Sequence, residues 1–192
     1  KPIPKFPTVI GIIAGANSAG LKDIVYNICR RYPLVELRIY SSLVQGKDAP
    51  KSIIKALDEA SNDNIDTLII GRGGGSSEDL SAFNDEALIR ALFNFKKPII
   101  SAVGHEIDVT LTDLVADLRV STPTGAAIAS TPNKDDLLMR LTDDDNKLNK
   151  AMNGKIDNLS LKLSLLSSRG YFLNPEMLYV QYNAYHILLF PS

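Results

Sequence analysis

Leu68-Ile69-Ile70-Gly71-Arg72-Gly73-Gly74-Gly75-Ser76-Ser77-Glu78-Asp79 reads as three things in succession: a buried strand, a glycine loop and the start of a helix. The apolar run stops at Gly71, and the hydroxyl and acidic residues that follow suit a helix N-terminus. Ser76 and Asp79 have the spacing of a capping box. Backbone N–H groups in such a loop can surround an anion, and Arg72 can add a planar, bidentate charge. A structural turn with an exposed Arg72 is the competing reading.

Upstream of that stretch, the pattern alternates between strand and helix. Residues 8–14 are apolar and predict a first buried strand, and residues 65–70 a third. Between them, Leu21, Ile24, Val25 and Ile28 follow a helical period over residues 19–31. Asn17 or Ser18 would cap that helix, and Asp23 falls in its first turn or so. Asp23 either complements the helix dipole or faces the crevice above the strand ends. Val35, Leu37 and Ile39 alternate with Glu36, Arg38 and Tyr40, which predicts a second strand near a sheet edge. Asp48 would cap a further helix over residues 49–60, with Pro50 in its tolerant first turn.

Downstream, Leu80, Phe83, Leu88 and Leu92 predict a helix that Asn84-Asp85-Glu86 bends or splits in two. Residues 99–103 form a fourth strand, and Gly104-His105-Glu106-Ile107-Asp108 follows at once. A short helix over 110–115, a loop over 119–124 and a close-packed helix opening at Pro123 complete this part. The expected fold is α/β: a parallel sheet of about four strands with helices on both faces. Ligands in such folds bind beyond the carboxyl ends of the strands. The loops at 15–20, 71–77 and 104–108 all follow strands, so Asp23, Arg72, His105 and Asp108 share one rim.

From residue 135 the character changes. Leu138, Leu141, Leu148, Met152, Ile156, Leu159, Leu163 and Leu166 recur at three-and-four spacing. This predicts a helix of about 25–33 residues, a projecting or coiled-coil extension or else a helix packed back on its own domain. The domain reading is a linker or cut edge at 1–7, an α/β domain at 8–133, the long helix at 134–170 and an unplaced segment at 171–192.

The chain has 192 residues and a formal net charge of −1, so any phosphate site must be local rather than a wholly basic surface. Cys29 is its only cysteine, which leaves no disulfide framework and fits a reducing, cytoplasmic setting. No apolar run reaches transmembrane length, so no membrane partner is expected. A Gly-x-x-x-x-Gly-Lys-Ser/Thr loop, a dinucleotide fingerprint and a Gly-x-Ser-x-Gly elbow are all absent from the sequence. His105 with Glu106 and Asp108 matches no strong zinc signature. His105 either moves a proton near neutral pH or ties down its turn. Arg72 could neutralise the charge that grows on an attacked phosphodiester. Together these residues suit phosphate-ester hydrolysis better than redox or acyl chemistry.

The run 71–84, Ser101-Ala102-Val103-Gly104-His105-Glu106-Ile107-Asp108 and the run 115–124 resemble the large subunit of exodeoxyribonuclease VII. Arg30-Arg31-Tyr32-Pro33 and Tyr40-Ser41-Ser42-Leu43-Val44-Gln45-Gly46 match as well, so the resemblance spans residues 8–130. It implies exonucleolytic hydrolysis of single-stranded DNA to short oligonucleotides. It also implies that an N-terminal OB-fold domain and much of a coiled coil lie outside this sequence. Carried over residue by residue, the essential acid matches Asp23, the arginine Arg72, the histidine His105 and the second acid Asp108. Gly73, Gly74, Gly75 and Ser76 would shape the anion loop beside Arg72. Here the sequence departs from the family at 14–20, where Thr-Ser-Pro-Thr-Gly-Ala-Ala is usual, and Asn17 and Ser18 would take over phosphate positioning. Single-stranded DNA, small subunits on the long helix and further copies of the chain are the implied partners. The resemblance implies that members can work without added metal, and Asp23 and Asp108 leave room for Mg²⁺. The rival readings are a non-catalytic nucleic-acid-binding or assembly module using the long helix, and an enzyme for a phosphorylated small molecule.

Overall fold

The structure, a computed structural model, describes residues 1–72, 80–104, 107–168, 174, 176, 179–180 and 182–183. The chain divides into two compact units, Lys1–Leu138 and Met139–Ser192. The first is built on a five-stranded, all-parallel sheet of order β2-β1-β3-β4-β5.

Apolar content and position in the sheet go together. β1 (Val9–Ala14), β3 (Thr67–Gly71) and β4 (Ile99–Ala102) lie centrally and are buried almost throughout. Covered on both faces, a central parallel strand gains from an unbroken apolar run. β2 (Glu36–Ser41) lies at one edge and is mostly open, as its alternating residues predict. β5 (Leu118–Arg119) forms the other edge. It was not expected: two residues carry no periodicity, and 119–124 reads as a loop.

α1 (Ala19–Arg31) follows β1 on one face of the sheet, joined there by α5 (Pro123–Ser130). Their core joins Ile24, Ile28, Ala126 and Ala127 to Ile10, Ile12, Ile69 and Ile100 of the strands. The opposite core sets α2 (Ala49–Asn62) and α3 (Glu86–Asn94) against Ile13, Leu68, Ile70 and Ile99. Successive strand residues therefore feed opposite layers. Each fully buried isoleucine contributes about 1.5–3 kcal/mol.

Helix starts mostly follow local chemistry. Ser18, Asp85 and Thr122 each accept a backbone N–H with the side chain. Asp85 ends a 3-10 turn (Ser81–Asn84) and opens α3, so the interruption at 84–86 yields two short elements. Asp48 precedes α2 but makes no capping hydrogen bond, because its backbone is already helical. The Ser76–Asp79 capping box lies outside the described residues.

The last helix, α6 (Lys134–Ser167), runs 34 residues, one more than the expected upper bound, and buries none of them. No helix among the described residues is long and apolar enough to cross a membrane.

Candidate active site

The direction of the sheet reverses at β1. From β1 the chain moves outward to β2, then returns to β3 on β1's other side and continues to β4. At such a switch point the loops beyond adjacent strands part and leave a crevice. Here the switch lies between the turn after β1 and the residue after β3, Arg72.

The turn after β1 is closed by Ser18 N–H donating to Gly15 O at 3.1 Å. Asn17 takes a left-handed backbone with φ 57°, a conformation that asparagine tolerates better than most residues. Ser18 then caps α1, its hydroxyl accepting from Leu21 N–H at 3.2 Å. Both residues expected to position phosphate thus flank the N–H end of α1, where anions are favoured. Gly20 lets that end reach β3: a Cβ there would meet the Arg72 carbonyl oxygen at 2.7 Å. The half-buried Arg72 is held from the other side by its N–H, 3.4 Å from Ala102 O of β4.

Asp23 lies one turn beyond Gly20 on the same side of α1. It is the fifth helical residue, outside the first turn, which weakens the dipole reading. Its carboxylate is tied instead to side chains. Asn27 Nδ2 donates to Oδ1 at 2.9 Å, and Thr124 Oγ1 donates to Oδ2 at 3.1 Å. Thr124 sits in the first turn of α5, capped by Thr122 and opened by Pro123. Helices α1 and α5 therefore bring together residues 101 positions apart.

Past β4, the loop is anchored by a residue that sequence reasoning missed. Asp113 of α4 (Leu111–Val115) is buried and accepts from Ser101 Oγ at 2.6 Å and from Thr110 N–H and Oγ1, each at 2.9 Å. Arg119 Nε of β5 stands 3.8 Å from the same carboxylate. The Thr110-x-x-Asp113 spacing, a capping box, was the available signal. Gly104 is packed so tightly that a Cβ would fall 2.1 Å from Asp108 O and 2.6 Å from Asp113 Oδ2. Asp108 itself is exposed on this loop. The structure thus joins Gly20 to Arg72 and Asp23 to Thr124, and puts Asp108 on the same rim without a contact to either among the described residues.

His105 and the expected loop residues Gly73, Gly74, Gly75 and Ser76 lie outside the described residues. Among the described residues no three His, Cys, Asp or Glu side chains group as a metal site. Both Asp23 oxygens already accept hydrogen bonds.

Comparison with known proteins matches residues 1–187 to the family described as exonuclease VII, large subunit. The exodeoxyribonuclease 7 large subunit of Bacillus subtilis is 43% identical over 182 residues, covering 94% of this chain and 41% of the relative. Those of Staphylococcus epidermidis and Staphylococcus aureus are each 43% identical over 181 residues, with the same 94% and 41% coverage. The chain spans about two fifths of the length of the curated relatives it matches.

Proposed function

This chain belongs to the exonuclease VII large-subunit family, and on that premise we propose that it hydrolyses phosphodiester bonds of single-stranded DNA to release short oligonucleotides. The observation that carries the reading is the convergence at the β1–β3 switch, where Gly20 packs on the Arg72 backbone and Thr124 clamps Asp23. A site of this build suits a phosphate: N–H groups of a helix start, a guanidinium and a fixed carboxylate.

In the proposed reaction Arg72 and the glycine amides of residues 73–75 hold the scissile phosphate and balance the charge that builds on its oxygens. Asp23, held by Asn27 and Thr124, orients the attacking water. The water oxygen bonds to phosphorus as the P–O bond to the departing strand breaks, and the proton it sheds passes to solvent, from which His105 is reprotonated after turnover. His105 gives its proton to the leaving oxygen, and Asp108 orients His105. Asn17 and Ser18 position the phosphate from the α1 side.

Incubation of the chain with end-labelled single-stranded and duplex DNA tests this, with and without an exonuclease VII small subunit. Cleavage confined to the single strand is expected. Failure to cleave under every divalent-ion condition, small subunit included, would remove the enzymatic reading.

A second role is supported by α6. Leu138, Leu148, Leu159 and Leu166 are 59%, 64%, 55% and 47% exposed along a three-and-four seam. An exposed apolar seam of this length suits helix-to-helix assembly, with small subunits or further copies of the chain.

A further inference from the structure

A second hollow opens on the same rim, on the other side of β1. It has a volume of about 580 Å³ and lies over the ends of β1 and β2. Ser18, Ser41, Ser42 and Gln45 give its lining hydroxyls and an amide, and Leu43 and Val44 give it an apolar part. Among the described residues no charged side chain lines it. The turn after β1 is shared: its Gly15 packs on Val44, while Gly20 just beyond packs on Arg72. Three neighbouring strands, β2, β1 and β3, thus carry the two sites side by side, with β2 and β3 about 10 Å apart across β1.

Ser42 makes this hollow more than a surface dent. The residue is only 8% exposed, and its backbone N–H donates to Ala14 O at 3.0 Å. Its hydroxyl oxygen is buried and makes no hydrogen bond among the described residues. A hydroxyl kept in that state weakens the free protein and calls for a reason. Its surroundings are fixed, since Ser52 Oγ accepts from Leu43 N–H at 2.9 Å and ties the segment to α2.

We propose that this hollow seats a nucleoside of the single strand, next to the nucleotide whose phosphate is held at Arg72; this rests on the phosphodiesterase reading above. A neutral lining is wrong for a phosphate and right for a base and deoxyribose, which offer hydrogen-bonding edges and apolar faces. Leu43 and Val44 receive the ring or sugar face. The Ser42 hydroxyl and the Gln45 amide bond its polar edge. Mouth and volume fit an open, mostly preformed ligand site.

The test uses the whole chain and a fluorescent oligothymidylate, read by anisotropy and by steady-state cleavage. Ser42→Ala removes an oxygen that no other group among the described residues uses, so the melting temperature should hold or rise. Binding should weaken about fivefold to tenfold, with KM raised and kcat kept within about twofold. Ser41→Leu, on the exposed side of the hollow, should weaken binding in the same way by filling it. A strand of abasic deoxyribose phosphates should bind wild type and both variants alike. If both variants bind and cleave as wild type does while Arg72→Ala loses cleavage, the nucleoside site is overturned and the phosphodiesterase stands. If wild type neither binds nor cleaves the single strand, both readings fall together.

Discussion

Strand β3 and helix α6 are both rich in apolar residues and use them in opposite ways. All five residues of β3 are buried between two helical layers. None of the 34 residues of α6 is buried. In β3 apolar surface is consumed within the chain and holds the rim on which Arg72 stands. In α6 it is left over, which is how a chain keeps surface for a partner. Stability and chemistry should therefore respond to the α/β unit, and assembly to the helix.

The largest effect expected is on stability. Ile69→Ala empties space in a core shared by α1, α5 and the sheet, and should cost about 2–5 kcal/mol in urea unfolding. Leu159→Ala, at an exposed position on α6, should stay within about 0.5 kcal/mol. Equal losses would erase the contrast between the two regions.

Next comes Arg72→Ala. Loss of a charge aimed at the reacting phosphate should lower kcat by about 10²–10³-fold, by analogy with removal of a transition-state donor. Sedimentation should show its assembly unchanged. A matching fall in assembly would mean that site and helix are not separable.

Thr124→Val is subtler. It removes the hydroxyl that holds Asp23 Oδ2 but leaves Asn27 on Oδ1. A fall in kcat of about tenfold is expected with KM little changed, and Thr124→Ser should restore most of it. A variant that binds DNA less well but turns over normally would assign the clamp to binding instead.

The smallest effect is pH-dependent and lies at the far end of β1. Burial pushes the Asp66 carboxyl up, but hydrogen bonds from Val9 N–H, the Thr8 hydroxyl and Thr8 N–H outweigh it, aided by Lys97, and hold it below the ordinary value. A depressed carboxyl stabilises the fold above its unfolded pKa, and the benefit fades as pH falls through the folded one. The stability gap between wild type and Asp66→Asn should therefore be widest near neutrality and shrink below about pH 4. A gap independent of pH would show that the bonds act without the charge.

How much of this was legible beforehand varies with the range over which each feature is encoded. The bounds of α1, the buried runs of β1, β3 and β4, the edge position of β2 and the break at Asn84–Glu86 were all readable. Each depends on spacing among near neighbours: period two or 3.6, a capping hydroxyl, a Pro or a Gly. Asp48 misled because a capping residue type is a propensity, and its backbone conformation decides whether the bond forms. Asp23 was read in the first turn or so of α1, whereas it is the fifth helical residue, and its partners Asn27 and Thr124 were not foreseen.

The sequence by itself determined a parallel α/β sheet with loops gathered at one rim, a family resemblance that the comparisons bear out, and a long helix with a repeating apolar seam. Tertiary structure alone decided that Thr124 holds Asp23, that Ser101, Thr110 and Arg119 converge on Asp113, and that the Ser42 hydroxyl is buried without a partner among the described residues. The reason is physical. Periodicity encodes which face of an element is buried, whereas a hydrogen bond across 101 residues exists only once α1 and α5 have packed on the same face of the sheet.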